Sequence, residues 1–300
     1  MSKQHHDIVA ILVFALALAW WSPAYSDGHN NHIRIKGSDT LSVVAKEWGR
    51  IYSEQHSPLT IESSGGGSGN GIAALINGHV EIASTSRKLR RREKRLISKK
   101  SDKKPYAAIV GLDAVSVLVN KNNPVNGISL TQLAGIYGAN GKYNKWSDLG
   151  ITVPGCETGK IVRVSRKNNS GTYAFFRKTI FGKRAHFHRS LVSHSNSQKV
   201  VKHVADDPCA IGYSGMAFLN SSVKTLCVAQ TTTKQGCVPP TASFTLSHKY
   251  PLSRPLFMYT LGKPQGNTSS FLIWVQSKEG QHILRKAGFV SPPNQGIGNK

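Results

Sequence analysis

Three short stretches carry the residues best suited to hold an anion. "GSDT" at 37–40, "GGGSGNGI" at 65–72 and "SRKNNSGT" at 165–172 each combine glycine with hydroxyl side chains, and each leads into an apolar run of helical period. The first N–H groups of a helix have no partner inside it and carry partial positive charge, so a glycine- and serine-rich helix start lets an oxyanion approach the backbone closely. Arg166 stands four residues ahead of Ser170, and its guanidinium fork suits phosphate or sulfate bidentately. Other glycine chemistry fails on particular residues. A Walker loop needs Lys and Ser/Thr after its last glycine, but Ile72 and Ala73 follow Gly71. A dinucleotide fingerprint would need its third glycine where Asn70 or Ile72 stands. A nucleophile elbow around Ser68 is broken by Asn70. Thr40 and Ser170 are also good helix N-caps in their own right.

These turns have to be positioned by strands that end where helices begin. "HIRIKGSDTLSVVAKEWGRIYSEQ" reads as a strand, a polar turn and a helix with Leu41, Val44, Ala45, Trp48 and Ile51 on one face. "LTIESSGGGSGNGIAALING" repeats the plan, which sets its glycines apart from a flexible linker. "VEIASTS" is a further strand leading to a basic helix, and "KIVRVSRKNNSGTYAFFRKTIFG" supplies the third donor-rich turn. The class is α/β, with sites at strand ends, where open α/β sheets bind ligands. Two long β-rich runs, near 110–121 and 255–262, cross between two lobes. They imply a discontinuous first lobe (27–111 and 256–300) and an inserted second lobe (112–255), after a leader at 1–26.

The leader combines Lys3, an apolar run from Ile8 to Trp21, and small residues Ala24 and Ser26 at a cleavage position, the pattern of a secretory signal peptide. It implies a periplasmic or secreted protein, and no cysteine near the cleavage point suggests a lipid anchor. Four cysteines in a chain bound for an oxidising compartment imply two disulfides. Cys227 and Cys237 bracket nine residues, which suits a hairpin or loop closed by one bridge and leaves Cys156 with Cys209, and no C-x-x-C spacing supports zinc. Lys plus Arg number 39 against 15 Asp plus Glu, a formal net charge of +24. Eleven of the eighteen residues from Arg87 to Lys104 are basic, with no aromatic between them to stack on bases. Export and the missing aromatics argue against nucleic acid, and the charge suits an anionic ligand.

The order of motifs resembles the periplasmic phosphate-binding proteins of ABC transporters, within the two-lobed type 2 periplasmic binding protein fold. The resemblance rests on "GSDT", "GGGSGNGI", "VEIASTSRKL" (80–89), "LDAVSVLVNKNNPV" (112–125), "LTQLAGIYG" (130–138) with "NKW" (144–146), "SRKNNSGT", "AIGY" (210–213) and "RPLFMY" (254–259). It implies a ligand held between the lobes by helix N-termini and hydroxyls. Thr40 and Leu41 would serve from the first turn, Ser68 from the second, and Ser170, Gly171 and Thr172 from the third, with Arg166 as the cation. Ser86 would stand where well-known members carry an aspartate that accepts the proton of hydrogen phosphate. Ser38, Asp39, Gly67, Gly69, Arg87 and Asn168 would lie beside these. Asn168 takes the place of an acid that pairs with the arginine in such members, and Asp39 is the nearest remaining carboxylate able to take that proton. The "SR" at 86–87 marks a divergent branch.

The resemblance implies a monomeric, non-enzymatic carrier that passes inorganic phosphate to a membrane permease, without metal or cofactor. Sulfate, molybdate or an organic phosphate would suit the same turns, and a surface adhesion role could use the basic face. A hydrolase using Ser68 and one of the 12 histidines is disfavoured, because the sequence offers no tight His/Asp pairing; His186 and His188 read as surface residues or, at best, an incidental metal pair.

Overall fold

A computed structural model describes residues 31–293, apart from 102, 183–185 and 234–235. The expected leader at 1–26 lies outside the described residues. Three strand-to-helix units open the chain: β1 (His32–Gly37) with α1 (Ser42–Gln55), β2 (Thr60–Gly66) with α2 (Ser68–Ile76), and β3 (Ile82–Thr85) with α3 (Arg91–Ser101). The sixteen-residue β4 (Pro105–Asn120) leads to β5 (Gly127–Ser129) and α4 (Leu130–Tyr137). Then come β6 (Val162–Arg166), α5 (Gly171–Phe181), β7 (Leu191–His194), α6 (Ser197–Asp206), β8 (Ala210–Gly215) and β9 (Val223–Ala229). The chain closes with α7 (Ala242–Leu246), β10 (Ser253–Leu261), α8 (Gly266–Gln276) and α9 (Lys278–Lys286).

The fold is α/β, built on one mixed sheet in the order β2-β1-β3-β10-β4-β8-β6-β7, with β9 on β4 and β5 on β9. β1 runs parallel to β2 and β3, and β6 runs parallel to β7 and β8. Parallel pairing places the ends of β1, β2 and β3 side by side, so the turns that follow them converge. β4 joins the two halves of the sheet. Its first part pairs antiparallel with β10 through Ala114↔Ser253, and its last part with β8 and β9 from Val115 onward. Such a strand is covered on both faces, and from Val110 onward every residue of it is buried, as the unbroken valine-rich run requires.

Separate apolar cores flank the two halves. Trp48, Val44, Ile33, Ile35 and Val110 pack with Phe271 and Leu284 on one side, and Val117, Tyr137, Trp146, Phe176 and Tyr213 on the other. On α1 the buried face continues through Tyr52 rather than Ile51. Tyr52 lies four residues beyond Trp48, one helical turn, and stacks on His56 at 3.9 Å and against Trp274 at 5.2 Å. Disulfides join Cys156 to Cys209 and Cys227 to Cys237, with Cα separations of 5.0 and 5.3 Å. Among the described residues no helix is long and apolar enough to cross a membrane.

Candidate functional site

The turn after β1 is tightly built. Leu41 donates its N–H to the Ser38 carbonyl at 3.1 Å, and Ser42 Oγ donates to the Asp39 carbonyl at 2.9 Å. Ser38 N–H donates to the Ser84 carbonyl at 2.9 Å, tying this turn to the end of β3. The Leu41 N–H therefore closes the turn, and the group left facing inward is the Thr40 hydroxyl, 3.1 Å from the Thr172 hydroxyl across 132 residues of chain. Thr40 and Thr172 are each 1 % exposed.

The second turn explains its glycines. Gly67 has φ +96°, which side chains rarely adopt, and a Cβ there would sit 2.8 Å from the Asn169 carbonyl. The contact it protects ties the second turn to the third: Gly69 N–H donates to the Asn169 carbonyl at 3.1 Å, and Asn169 Nδ2 donates to the Gly66 carbonyl at 2.9 Å. Ser68, fully buried, accepts the Ser86 N–H at 3.1 Å, and its hydroxyl is 3.5 Å from that of Ser86. A Cβ on Gly171 would collide with both hydroxyls. Only glycine lets the start of α5 come this close to α2 and to the end of β3.

Ser170 is the N-cap of α5, its hydroxyl accepting the N–H groups of Thr172 at 3.1 Å and Tyr173 at 3.3 Å. It orders the helix start that presents Gly171 and Thr172. Arg166, at the end of β6, is 1 % exposed. One terminal nitrogen donates to Asp39 Oδ2 and to the Ser195 carbonyl, each at 2.7 Å, and the other donates to Ser197 Oγ at 3.1 Å. Its Nε is buried with no partner. Burial lowers the pKa of this guanidinium, and the charge of Asp39 partly offsets that. Asp39 also accepts the Gly66 N–H through Oδ1 at 2.7 Å. Both Asp39 oxygens are therefore engaged, and the acid paired with Arg166 comes from the first turn. Asn168 lies exposed at the rim. Arg87 is held away from the hydroxyls by a bidentate bridge to Glu93 at 2.7 and 2.8 Å.

Two functional candidates went unrecognised in the sequence. Arg254, 1 % exposed at the start of β10, donates to Asp113 Oδ2 from Nε at 3.0 Å and from a terminal nitrogen at 2.7 Å. That same terminal nitrogen is 3.1 Å from Thr172 Oγ1 and 3.4 Å from Thr40 Oγ1, and the other donates to the Ser86 carbonyl at 3.1 Å. Arg254 thus touches residues of the first and third turns and the end of β3 at once. Asp113 is fully buried, and its Oδ1 accepts the Met216 N–H at 3.0 Å. Burial raises the Asp113 carboxyl pKa while Arg254 and that N–H pull it down. A signal was present: one carboxylate inside an apolar strand requires a buried cation.

The assembled centre has hydroxyls at Thr40, Ser68, Ser86 and Thr172, flanked by guanidinium groups at Arg166 and Arg254, each neutralised by one aspartate. Hydroxyls donate or accept as the partner requires, so this is a donor-rich, charge-balanced cluster whose chemistry suits an oxyanion. Nothing in its geometry pairs a nucleophile with a base: Ser68 bonds to Ser86, and no histidine lies among these contacts.

The profile of the PBP superfamily domain matches residues 22–279. The phosphate-binding protein PstS of Pseudomonas aeruginosa is 30% identical over 281 residues, covering 89% of this chain and 85% of the relative. The namesake of Staphylococcus epidermidis is 28% identical, covering 87% of this chain and 78% of that one. Among solved structures, a putative phosphate ABC transporter substrate-binding protein of Clostridium perfringens with bound phosphate superposes with a TM-score of 0.75 at 25% identity, covering 87% of this chain and all of that one. An ABC-type phosphate transport receptor of Vibrio cholerae shares the fold at a TM-score of 0.70 and 24% identity, again over 87% of this chain and the whole of the other. Fold and sequence therefore place the chain in the PBP superfamily and, within it, in the PstS family, whose members are binding proteins rather than enzymes.

Proposed function

We propose that this chain captures inorganic phosphate in the periplasm and delivers it to the permease of an ABC transporter. The observation that carries this reading is the convergence of three strand-to-helix turns and the buried Arg254 guanidinium on one cluster of hydroxyls, with Arg254 within 3.4 Å of both Thr40 and Thr172 and Arg166 tied to the first turn through Asp39. Thr40, Ser68, Ser86 and Thr172 would donate to the phosphate oxygens, the Gly171 end of α5 would contribute its N-terminal field, and the Arg254 guanidinium would add a charged donor beside them, with the dianion's charge left to the helix start and the protein's net positive field. Asp39 and Asp113 would hold the two arginines in place. The lobes read from the sequence, 27–111 with 256–300 and 112–255, would close on the ligand through the Gly66–Gly69 and Asn169 contacts. The relatives named phosphate-binding proteins support the choice of ligand.

The test is calorimetric titration of orthophosphate, sulfate and molybdate into the purified chain after unfolding, gel filtration and refolding have removed bound anions. One-to-one binding led by phosphate supports the proposal. A clear preference for sulfate or molybdate would reassign the ligand while keeping the site, and heat from none of the three would reject it.

A further inference from the structure

The basic segment at 87–104 has no part in the phosphate cradle, since Arg87 is turned onto Glu93. Beside the cradle the structure contains a second cavity of about 1250 Å³, larger than the roughly 300–1,000 Å³ of a usual small-molecule pocket. Arg87, Lys88, Arg90 and Arg91 line one wall, Arg177 and Lys178 of α5 line the other, and Arg254 reaches the floor. No carboxylate is among the described residues that line it. The nearby Glu93 is occupied, accepting the Arg87 fork and the Arg90 N–H at 2.7 Å.

We infer that this cavity is a binding site for chain phosphates, inorganic tripolyphosphate and longer, separate from the orthophosphate cradle. Like charges brought together from two distant segments repel unless an anion lies between them, and a chain of phosphates offers one anionic group to each pair of facing cations. The electrostatics agree: burial, and then the charges of Arg87 and Arg177, hold the Arg90 guanidinium below its usual pKa, although Glu93 and Tyr173 oppose them.

The aromatic residues of the walls separate a phosphate chain from a nucleotide. Phe175 lies under the Arg254 guanidinium at 5.5 Å, Tyr173 packs on Phe187 at 4.7 Å, and Phe257 stacks with Tyr259 at 5.4 Å. Each ring already packs against a neighbour, and seven cations line the cavity against these three rings, so charge is the property it recognises. The inference goes beyond phosphate capture, because it assigns a second ligand to residues that, Arg254 apart, lie outside the cradle.

The experiment titrates tripolyphosphate by calorimetry into the chain saturated with orthophosphate, in 0.1 M salt. One further equivalent should bind. The double variant Arg90→Ser/Arg177→Ser should weaken it at least tenfold while orthophosphate affinity changes less than twofold. Arg92→Ser/Lys94→Ser, which removes the same charge from exposed positions of α3 outside the cavity, should weaken it less than threefold. Equal losses from the two double variants, or tripolyphosphate that binds only by displacing orthophosphate, would overturn the inference. Adenosine triphosphate binding tenfold tighter than tripolyphosphate would overturn the assignment to a bare phosphate chain. If orthophosphate itself fails to bind, the same comparison of variants in the ligand-free chain still decides the second site, so the two readings fail separately.

Discussion

Replacing Asp39 by asparagine separates two roles that this carboxylate could have. As the acceptor of the proton of hydrogen phosphate, it would be needed to prefer phosphate over sulfate. As the partner of Arg166, it would hold a buried cation, and the geometry favours this second role, because both of its oxygens are engaged at 2.7 Å, one by Arg166 and one by the Gly66 N–H. Arg166 is 1 % exposed, whereas the Asp39 side chain is 16 % exposed. Breaking a fully buried pair by removing one partner costs about 3–5 kcal/mol. Allowing for the partial exposure of Asp39 and for the neutral acceptors Ser195 and Ser197 that Arg166 keeps, Asp39→Asn should cost about 3 kcal/mol in the ligand-free chain. At about 2–4 °C per kcal/mol for a domain of this size, the melting temperature should fall by about 6–12 °C. A bound dianion would return the missing charge to Arg166, so phosphate should raise the melting temperature of the variant more than that of the wild type. Glu47→Gln, which removes one partner of the exposed Arg50, should cost under about 1 kcal/mol. Thermal melts with and without phosphate, with phosphate and sulfate titrations on both proteins, read all of these quantities. A ligand-free melting temperature unchanged by Asp39→Asn, together with selective loss of phosphate relative to sulfate, would refute the reasoning and restore Asp39 as proton acceptor.

Arg254→Met should lower phosphate affinity by about 2–5 kcal/mol and also destabilise the ligand-free chain by leaving Asp113 buried and unpaired, whereas Arg254→Met/Asp113→Leu should recover much of the stability without the affinity; chemical denaturation and calorimetry together check this. Glu93 gives a pH signature. Burial pushes its carboxyl upward, but the Arg87 fork and the Arg90 N–H more than offset this and hold it below the ordinary value of 4.5. A depressed folded pKa contributes stability that is fully present above the unfolded value and lost as pH falls through the folded one. The wild type should therefore lose more stability than Glu93→Gln on going from pH 6 to pH 3, as measured by urea midpoints. Opening the Cys156–Cys209 bridge by Cys→Ala at both positions should cost about 4 kcal/mol, against about 3 kcal/mol for Cys227–Cys237, because the bridges close sequence separations of 53 and 10; denaturation of the two double variants tests the order.

Local features of the fold were legible because they are written in short windows. The strand-to-helix turns follow from a change of hydrophobic period beside glycine and serine, and the β4 run follows from its unbroken apolar character. Pairings between distant residues were not legible. Asp39 meets Arg166 across 127 residues and Arg254 meets Asp113 across 141, and no pattern of spacing encodes such separations. The position of Asn168 had drawn attention to an acid missing beside Arg166, but a carboxylate arriving from the first turn could be found only once β1 and β6 were placed. Ser170 illustrates a further limit, since a serine at a helix start has the same sequence signature whether it touches a ligand or caps the helix, and here its hydroxyl accepts two N–H groups of its own helix.

The central claim is that hydroxyls delivered by separate turns, and not the general positive field, select and hold one phosphate. Titrating orthophosphate into the ligand-free wild type and into Thr172→Val, at 0.05 M and 0.5 M salt, tests it most directly. Thr172→Val keeps the shape and every charge but removes the hydroxyl that lies 3.1 Å from both Thr40 and Arg254. The account predicts one-to-one binding by the wild type that weakens only modestly with salt, and a loss of at least about tenfold in Thr172→Val, corresponding to about 1.5–3 kcal/mol for a hydrogen bond to a charged group. Unchanged affinity in Thr172→Val, with binding by both proteins abolished at 0.5 M salt, would contradict it.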